Sequence, residues 1–184
     1  AMPYDEQFDL VAITVETFSA RRAYEISAEF RRRGCKVVLG GMHPTLLPEE
    51  ASQHADSIVL SDAESIWGEL IEDARRGQLK PQYQGRCQTR PQGETLPRRD
   101  LYRKKGYLPV TLSQFGRGCR FACDYCAINS YFHRQHYTRP VADVVREIEA
   151  QQRKLVFFVD DNIVATPERA KELFRALIPL RIRW

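Results

Sequence analysis

The chain has no run of the roughly 18 apolar residues that a membrane-crossing helix requires. Its acidic, polar start, Ala1-Met2-Pro3-Tyr4-Asp5-Glu6, contains no apolar leader segment. Cysteine is scarce: there are five among 184 residues, three of them crowded together, so no even-numbered disulfide framework is present. These absences lead to the expectation of a cytoplasmic protein. Neither sign of charge dominates, since 28 Lys and Arg against 24 Asp and Glu leave a formal net charge of +4. That excess is modest, and no RNA-binding module accompanies it, so nucleic acid is not an expected partner. The composition, 43% hydrophobic and 28% charged, is that of a globular chain able to bury a core.

Short apolar runs alternate with amphipathic stretches. Leu10–Val15 reads as a buried strand, followed by Ser19 as N-cap and a helix through Arg33 with Ala23, Ile26 and Phe30 on one face and Gly34 as its stop. Lys36–Leu39 is a second strand, Gly40 to Pro44 a loop, Pro48-Glu49-Glu50 a helical turn and Ser57–Leu60 a third strand. A helix over Ser65–Arg76 directs Ile66, Trp67, Leu70, Ile71 and Ala74 inward and ends at Gly77. Continuous apolar strands separated by helices imply a parallel sheet covered on both faces. Three strands are fewer than the five or six of a doubly wound domain, so an opening β–α unit is expected to be missing.

From Gln78 to about Leu108 the pattern dissolves into Gln, Arg, Pro and Gly and reads as a linker. It contains Cys87 and a basic knot, Arg98-Arg99 with Arg103-Lys104-Lys105, which reads as a solvated connector or an anion-binding patch. A second series follows: a strand at Pro109–Ser113, a helix starting at Pro140 with Val141, Val144, Val145 and Ile148, and a strand at Leu155–Val159 ending in Asp160-Asp161-Asn162. Thr166-Pro167 then opens a helix with Ala170, Leu173, Phe174 and Leu177, and Arg181–Trp184 begins another strand. The expected division is residues 1–77, a linker over 78–108, and residues 109–184. Loops after two consecutive parallel strands emerge at the same sheet edge, so the loop after Ser113 and Asp160–Asn162 are expected at one site.

The loop after Pro109–Ser113 carries Cys119, Cys123 and Cys126, a C-x3-C-x2-C run following a Gly116-Arg117 turn. Structural zinc sites use four ligands, commonly in paired units, whereas three thiolates without a neighbouring fourth suit a 4Fe–4S cluster with one iron left open. Two alternatives stay open: a Cys3His zinc site completed by His133 or His136, and Cys87 as a fourth ligand. Cys35 reads as a small buried hydrophobe.

These cysteines, with the aromatic Tyr125 before the third, resemble the loop of the radical SAM superfamily. The resemblance implies a β/α partial barrel, a 4Fe–4S cluster held by Cys119, Cys123 and Cys126, and S-adenosyl-L-methionine cleaved to a 5′-deoxyadenosyl radical. It implies that Tyr125 lies near the adenine, although the same ring can instead wedge the loop against the barrel. Asp160, Asp161 and Asn162 fall where many members use a Gly-Gly-Glu-like segment to hold the SAM amine, and this chain departs from that wording. A carboxylate can accept hydrogen bonds from an ammonium group, or these residues can cap the following loop. A small-molecule substrate and a reductant such as flavodoxin or ferredoxin are the implied partners.

The first half resembles the cobalamin-binding domain that precedes this barrel in one subclass, at Gly40-Gly41-Met42-His43-Pro44-Thr45 and Ser61-Asp62-Ala63-Glu64. Gly40, Gly41, His43, Ser61 and Glu64 are the implied cobalamin contacts, with ordinary strand-to-helix turns as the alternative. No D-x-H-x-x-G cobalt-ligand motif is present, and His43, on a different strand end, is not read as the cobalt ligand. The expected fold class is therefore α/β: a partial Rossmann-like (flavodoxin-like) parallel-sheet domain followed by the start of a radical SAM partial barrel, cut short at both ends. The implied function is a cobalamin-dependent radical SAM enzyme, with methyl transfer to an unactivated carbon as the leading reaction. The alternatives are a radical SAM modifier of tRNA, or a non-catalytic iron–sulfur or zinc-binding module. No catalytic acid or base is identified.

Overall fold

The apolar runs of the first half become three parallel strands, β1 (Leu10–Thr14), β2 (Lys36–Gly40) and β3 (Ser57–Leu60), in a computed structural model that describes residues 2–86, 98–102 and 106–184. Contacts divide the chain into two units, Ala1–Thr89 and Arg90–Trp184. The expected fourth-ligand candidate Cys87 and the basic residues Arg103, Lys104 and Lys105 lie outside the described residues.

In the first unit the helices are α1 (Ala20–Arg32), α2 (Met42–Leu46), α3 (Pro48–Ser52) and α4 (Trp67–Arg75). Strand alternation decides what each covers. Val37, Leu39 and Ile58 join Ala23 and Phe30 of α1 and Ala51 of α3 in one cluster. Val38 and Val59, on the opposite face, join Leu70 of α4. Withdrawing such side chains from water stabilises the unit by roughly 1.5–3 kcal/mol each.

Three local expectations are revised. Residues expected as a loop after β2 form α2. Trp67 is exposed, because the buried stripe of α4 centres on Leu70. The segment read as linker opens with a fourth strand, β4 (Gln82–Gln84), which pairs in parallel with β3 and gives the order β1-β2-β3-β4. Only Tyr83 of that strand is buried, and a strand with a single apolar residue carries no periodic signal.

The second unit contains β5 (Thr111–Ser113), β6 (Gly116–Gly118), α5 (Ala127–Phe132), β7 (His136–Thr138), α6 (Val141–Gln151), β8 (Val156–Phe158) and α7 (Pro167–Leu177). β5 and β8 are parallel, and a further parallel bridge joins Leu155 to Arg183, so the expected third strand is present as a single bridge. Val144, Ile148, Leu173 and Leu177 pack with Val156 on one face. Leu112 and Phe157, cross-strand partners, are exposed on the other. Helices on one face of consecutive parallel strands are the arrangement with which a β/α barrel begins.

For Arg99, one residue of the basic knot, the reading as a solvated connector or anion patch is corrected. Its guanidinium donates to the buried carboxylate of Glu147 on α6 at 2.6 Å, and also to the carbonyl of Leu112.

Candidate functional site

Gly116 and Arg117, expected as a turn, belong to β6, which pairs antiparallel with β7 through Gly116↔Thr138, Arg117↔Tyr137 and Gly118↔His136. The hairpin is invisible to periodicity because both strands are three residues long and polar. It holds both ends of the cysteine loop. Gly118, immediately before Cys119, has φ +80°, and a Cβ there would overlap the carbonyl oxygen of Gln135 and lie 2.9 Å from Phe132 Cγ. Only glycine combines that conformation with that approach.

Cys119, Cys123 and Cys126 are free thiols; Cys123 is exposed and the other two are half-buried. Cys126 leads into α5, and Asn129 of that helix donates its side-chain amide to the Cys123 carbonyl at 2.8 Å. Tyr125 is 89% exposed. Its ring is therefore not wedged between the loop and the described residues of the second unit. Among the described residues, no three His, Cys, Asp or Glu side chains form a group able to hold a single metal ion. A cubane places its protein ligands on three different irons, and three free thiols of one loop are a donor set that suits it.

The end of β8 reaches this loop residue by residue. Asp160 accepts the backbone N–H groups of Phe115, at 3.0 Å, and Gly116. Asp161 accepts the N–H of Gly118 at 2.7 Å, and Asn162 donates its amide to Cys119 Sγ at 3.6 Å. Burial pushes the Asp160 carboxyl above its ordinary range, against the lowering effect of those two backbone donors. The residues expected at the SAM amine are thus engaged with the loop itself, and only tertiary contact reveals it.

The histidines separate. His133, exposed, ends α5 in a left-handed conformation with φ 50°. His136 is half-buried; its Nδ1 pairs with Thr166 Oγ1 at 3.0 Å, while Nε2 is buried with no hydrogen-bond partner among the described residues. A Cβ on Gly116 would lie 2.6 Å from that Nε2, so the ring packs on β6. Burial holds the His136 pKa below its ordinary value.

In the first unit, the carboxyl ends of β2 and β3 carry the second group of candidates. Gly41 has φ +101°, and a Cβ would come within 2.9 Å of the Val15 carbonyl oxygen. Thr45 Oγ1 donates to the Gly41 carbonyl at 2.8 Å and accepts the N–H of Ser61 at 2.9 Å, tying the two loops together. Ser61 itself has φ 65°, a conformation uncommon for a residue with a side chain. Glu64 is exposed in the turn that follows. Gly85, which the sequence did not single out, passes so close to Asp62 that any Cβ would overlap its carbonyl oxygen.

His43 is 3% exposed. Tyr24 donates its hydroxyl hydrogen to Glu50 at 3.0 Å and stands 2.9 Å from His43 Nε2, while Nδ1 lies 3.2 Å from Thr17 Oγ1. Since the Tyr24 hydrogen is committed, His43 Nε2 must donate and Nδ1 must accept from Thr17. Both nitrogens face protein, so the imidazole braces the loop. Burial, helped by Glu50, pushes the Tyr24 pKa up to about 12.

Comparison with known proteins gives a consistent picture. Residues 113–183 match the radical SAM superfamily. The bacteriochlorophyllide d C-12(1)-methyltransferase of Chlorobaculum tepidum is 31% identical over 188 residues, covering 96% of this chain and 41% of that protein. The bacteriochlorophyllide d C-8(2)-methyltransferase of the same organism is 36% identical over 163 residues, covering 84% of this chain and 35% of that protein. The chain thus spans roughly two fifths of these relatives. In fold it is similar to the radical S-adenosylmethionine methyltransferase TsrM of Kitasatospora setae, solved with cobalamin and a 4Fe–4S cluster bound. That similarity has a TM-score of 0.70 at 20% identity and covers 97% of this chain and 42% of that one.

Proposed function

We propose that this chain, whose residues 113–183 belong to the radical SAM superfamily, is the cobalamin-binding and cluster-binding part of a radical SAM methyltransferase acting on an unactivated carbon of a small molecule. The observation that carries the reading is the loop itself: three free thiols, Cys119, Cys123 and Cys126, rising from a strand held at Phe115, Gly116 and Gly118 by the end of β8. When bound, a 4Fe–4S cluster supplies the electron that breaks the sulfonium bond of SAM.

The protein groups have distinct tasks. The three thiolates would hold the cluster, and the exposed Tyr125 ring would pack near the adenine. Asp160, Asp161 and Asn162 would form the rim where the amino group of SAM enters; Asp161 Oδ1, the carboxylate oxygen that takes none of these loop amides, would accept an ammonium hydrogen. The exposed apolar face of Leu112 and Phe157 would exclude water from the reacting centre.

The first unit supplies the corrinoid reading. Close-packed glycines at strand ends let a backbone approach a bulky ring, and Gly40, Gly41, Ser61 and Glu64 lie at the carboxyl ends of adjacent parallel strands. His43 would shape that edge without offering a nitrogen to cobalt. The names of the bacteriochlorophyllide methyltransferases support methyl transfer as the reaction. A low-potential electron carrier such as flavodoxin or ferredoxin would be the reductant. Among the described residues no helix is long and apolar enough to cross a membrane.

The test is anaerobic reconstitution of the full-length protein with iron, sulfide and cobalamin. The reading expects about four irons per chain, a corrinoid absorption band, and formation of 5′-deoxyadenosine and S-adenosylhomocysteine under a strong reductant. Replacement of Cys119, Cys123 or Cys126 by Ala should abolish the iron, and Cys35→Ala should leave it. Retention of stoichiometric zinc in place of iron would reduce the loop to a structural metal module. A cluster without any corrinoid uptake would confine the first unit to a scaffold role.

A further inference from the structure

Within the proposed rim of the site, Asn162 is set apart from the two aspartates, because its amide points at a thiol. Asn162 Nδ2 donates to Cys119 Sγ at 3.6 Å, while Asn162 Oδ1 accepts the backbone N–H of Val164 at 3.2 Å. The amide is therefore held by the turn that follows it, with its donor end directed at sulfur. We infer that Asn162 is a redox-tuning residue, a hydrogen-bond donor to the Cys119 thiolate that sets how easily the cluster is reduced. This inference rests on the proposed cluster-binding role of Cys119.

The physical argument starts from charge. Reducing an iron–sulfur cluster adds negative charge that spreads onto its sulfur ligands, and an N–H donor stabilises the electron-rich state more than the oxidised one. Cys119 is well placed to receive such a donor. It is the first cysteine of the loop and is half-buried, so water competes less there than at the exposed Cys123. The donor is also positioned in advance. Asp160 anchors Phe115 and Gly116 while Asp161 anchors Gly118, so three consecutive residues of the β8 exit meet β6 and the first cysteine in order. The two aspartates fix where Cys119 stands, and the asparagine acts on its sulfur. A carboxylate in place of Asn162 would present lone pairs to a thiolate and raise the cost of reduction.

A hydrogen bond to a charged group changes an equilibrium by about tenfold or more. For a one-electron couple that tenfold change corresponds to a midpoint shift of about 59 mV. The experiment compares the reconstituted full-length protein with Asn162→Leu and Asn162→Ser by an EPR-monitored reductive titration with titanium(III) citrate. Iron and sulfide content and circular dichroism are measured on the same samples. Leucine removes the donor at similar size; serine is too short to reach the sulfur yet can still accept the Val164 N–H, which separates the turn from the thiolate contact.

The expected result is unchanged iron content in both variants, a midpoint potential lower by about 59 mV, and loss of an exchangeable-proton coupling seen by pulsed EPR in deuterated buffer. Native iron content with unchanged potential and unchanged proton coupling in both variants would overturn the tuning role and leave the cluster reading intact. Loss of iron from both variants with native circular dichroism would also overturn it, because Asn162 would then serve assembly. Failure of the parent protein itself to take up iron would overturn the cluster reading on which the inference stands.

Discussion

Glu147 Oε2 lies 2.6 Å from Arg139 Nη1 although the carboxylate is only 1% exposed, and its other oxygen lies 2.6 Å from Arg99 Nη2. One buried acid on α6 thus joins the segment before β5 to the segment after β7. Arg139 also donates to the Gln114 carbonyl at 2.9 Å, next to the strand that carries the cysteine loop.

Removing the acid while leaving both guanidinium groups strands two charges away from bulk water. Glu147→Ala should therefore destabilise the second unit by about 3–5 kcal/mol. Urea unfolding followed by Trp184 fluorescence would measure it, and a loss below about 1 kcal/mol would show that the triad contributes little beyond packing.

Gly118→Ala should displace the cysteine loop without touching a cysteine. Its φ of +80° already disfavours a side chain, and the added carbon has Gln135 and Phe132 in its place. The expected outcome is a stability loss of more than about 1 kcal/mol together with iron uptake well below the parent level. Parent-level iron in Gly118→Ala would mean that the hairpin can shift while keeping the three thiols in place.

His136 makes a pH prediction. Burial lowers its pKa below the ordinary 6.5, so the native state binds fewer protons than the unfolded chain just below that pH. Its contribution is fully present above pH 6.5 and is lost as pH falls through the depressed native value. Asp160 has the opposite sign: its raised pKa makes stability fall as pH rises from 3.8 through the native value. His136→Gln should flatten the decline in stability below pH 6.5 and leave the Asp160 region unchanged. Chemical denaturation at a series of pH values would detect it, and parallel curves for parent and variant would refute the assignment.

His43→Phe separates bracing from cobalt ligation. It strands Thr17 and Tyr24 without their shared partner, which should cost about 1–3 kcal/mol. The absorption and EPR spectra of bound cobalamin should nevertheless be those of the parent protein, because neither imidazole nitrogen is open. A spectral change indicating loss of a nitrogen ligand to cobalt would show that the Tyr24–His43–Thr17 chain opens when the corrinoid binds.

Much of the scaffold was legible in the sequence. The strands at Leu10, Lys36, Ser57 and Leu155 and the helices built around Phe30, Ile148 and Leu173 announced themselves through apolar runs and helical spacing. β4, β6 and β7 did not, because strands three residues long with mainly polar side chains have no period to detect. Trp67 was misplaced for a related reason: a nine-residue helix offers few turns over which to locate its buried stripe.

What the sequence by itself determined was local chemistry: three thiols within one loop, glycines where the backbone turns, and acids at the end of an apolar strand. Only the tertiary structure decided what those groups meet. Asn162 and Cys119 are 43 residues apart, and their contact exists because β5 and β8 run parallel, with the exit of β8 brought against β6. His43 looked free to contact a cofactor until Tyr24 and Thr17 occupied both its nitrogens. Hydrogen bonds between distant segments depend on strand register and on atomic positions good to a fraction of an ångström. Composition and spacing carry no such information, so the donor set was readable in the chain while its electrostatic surroundings were not.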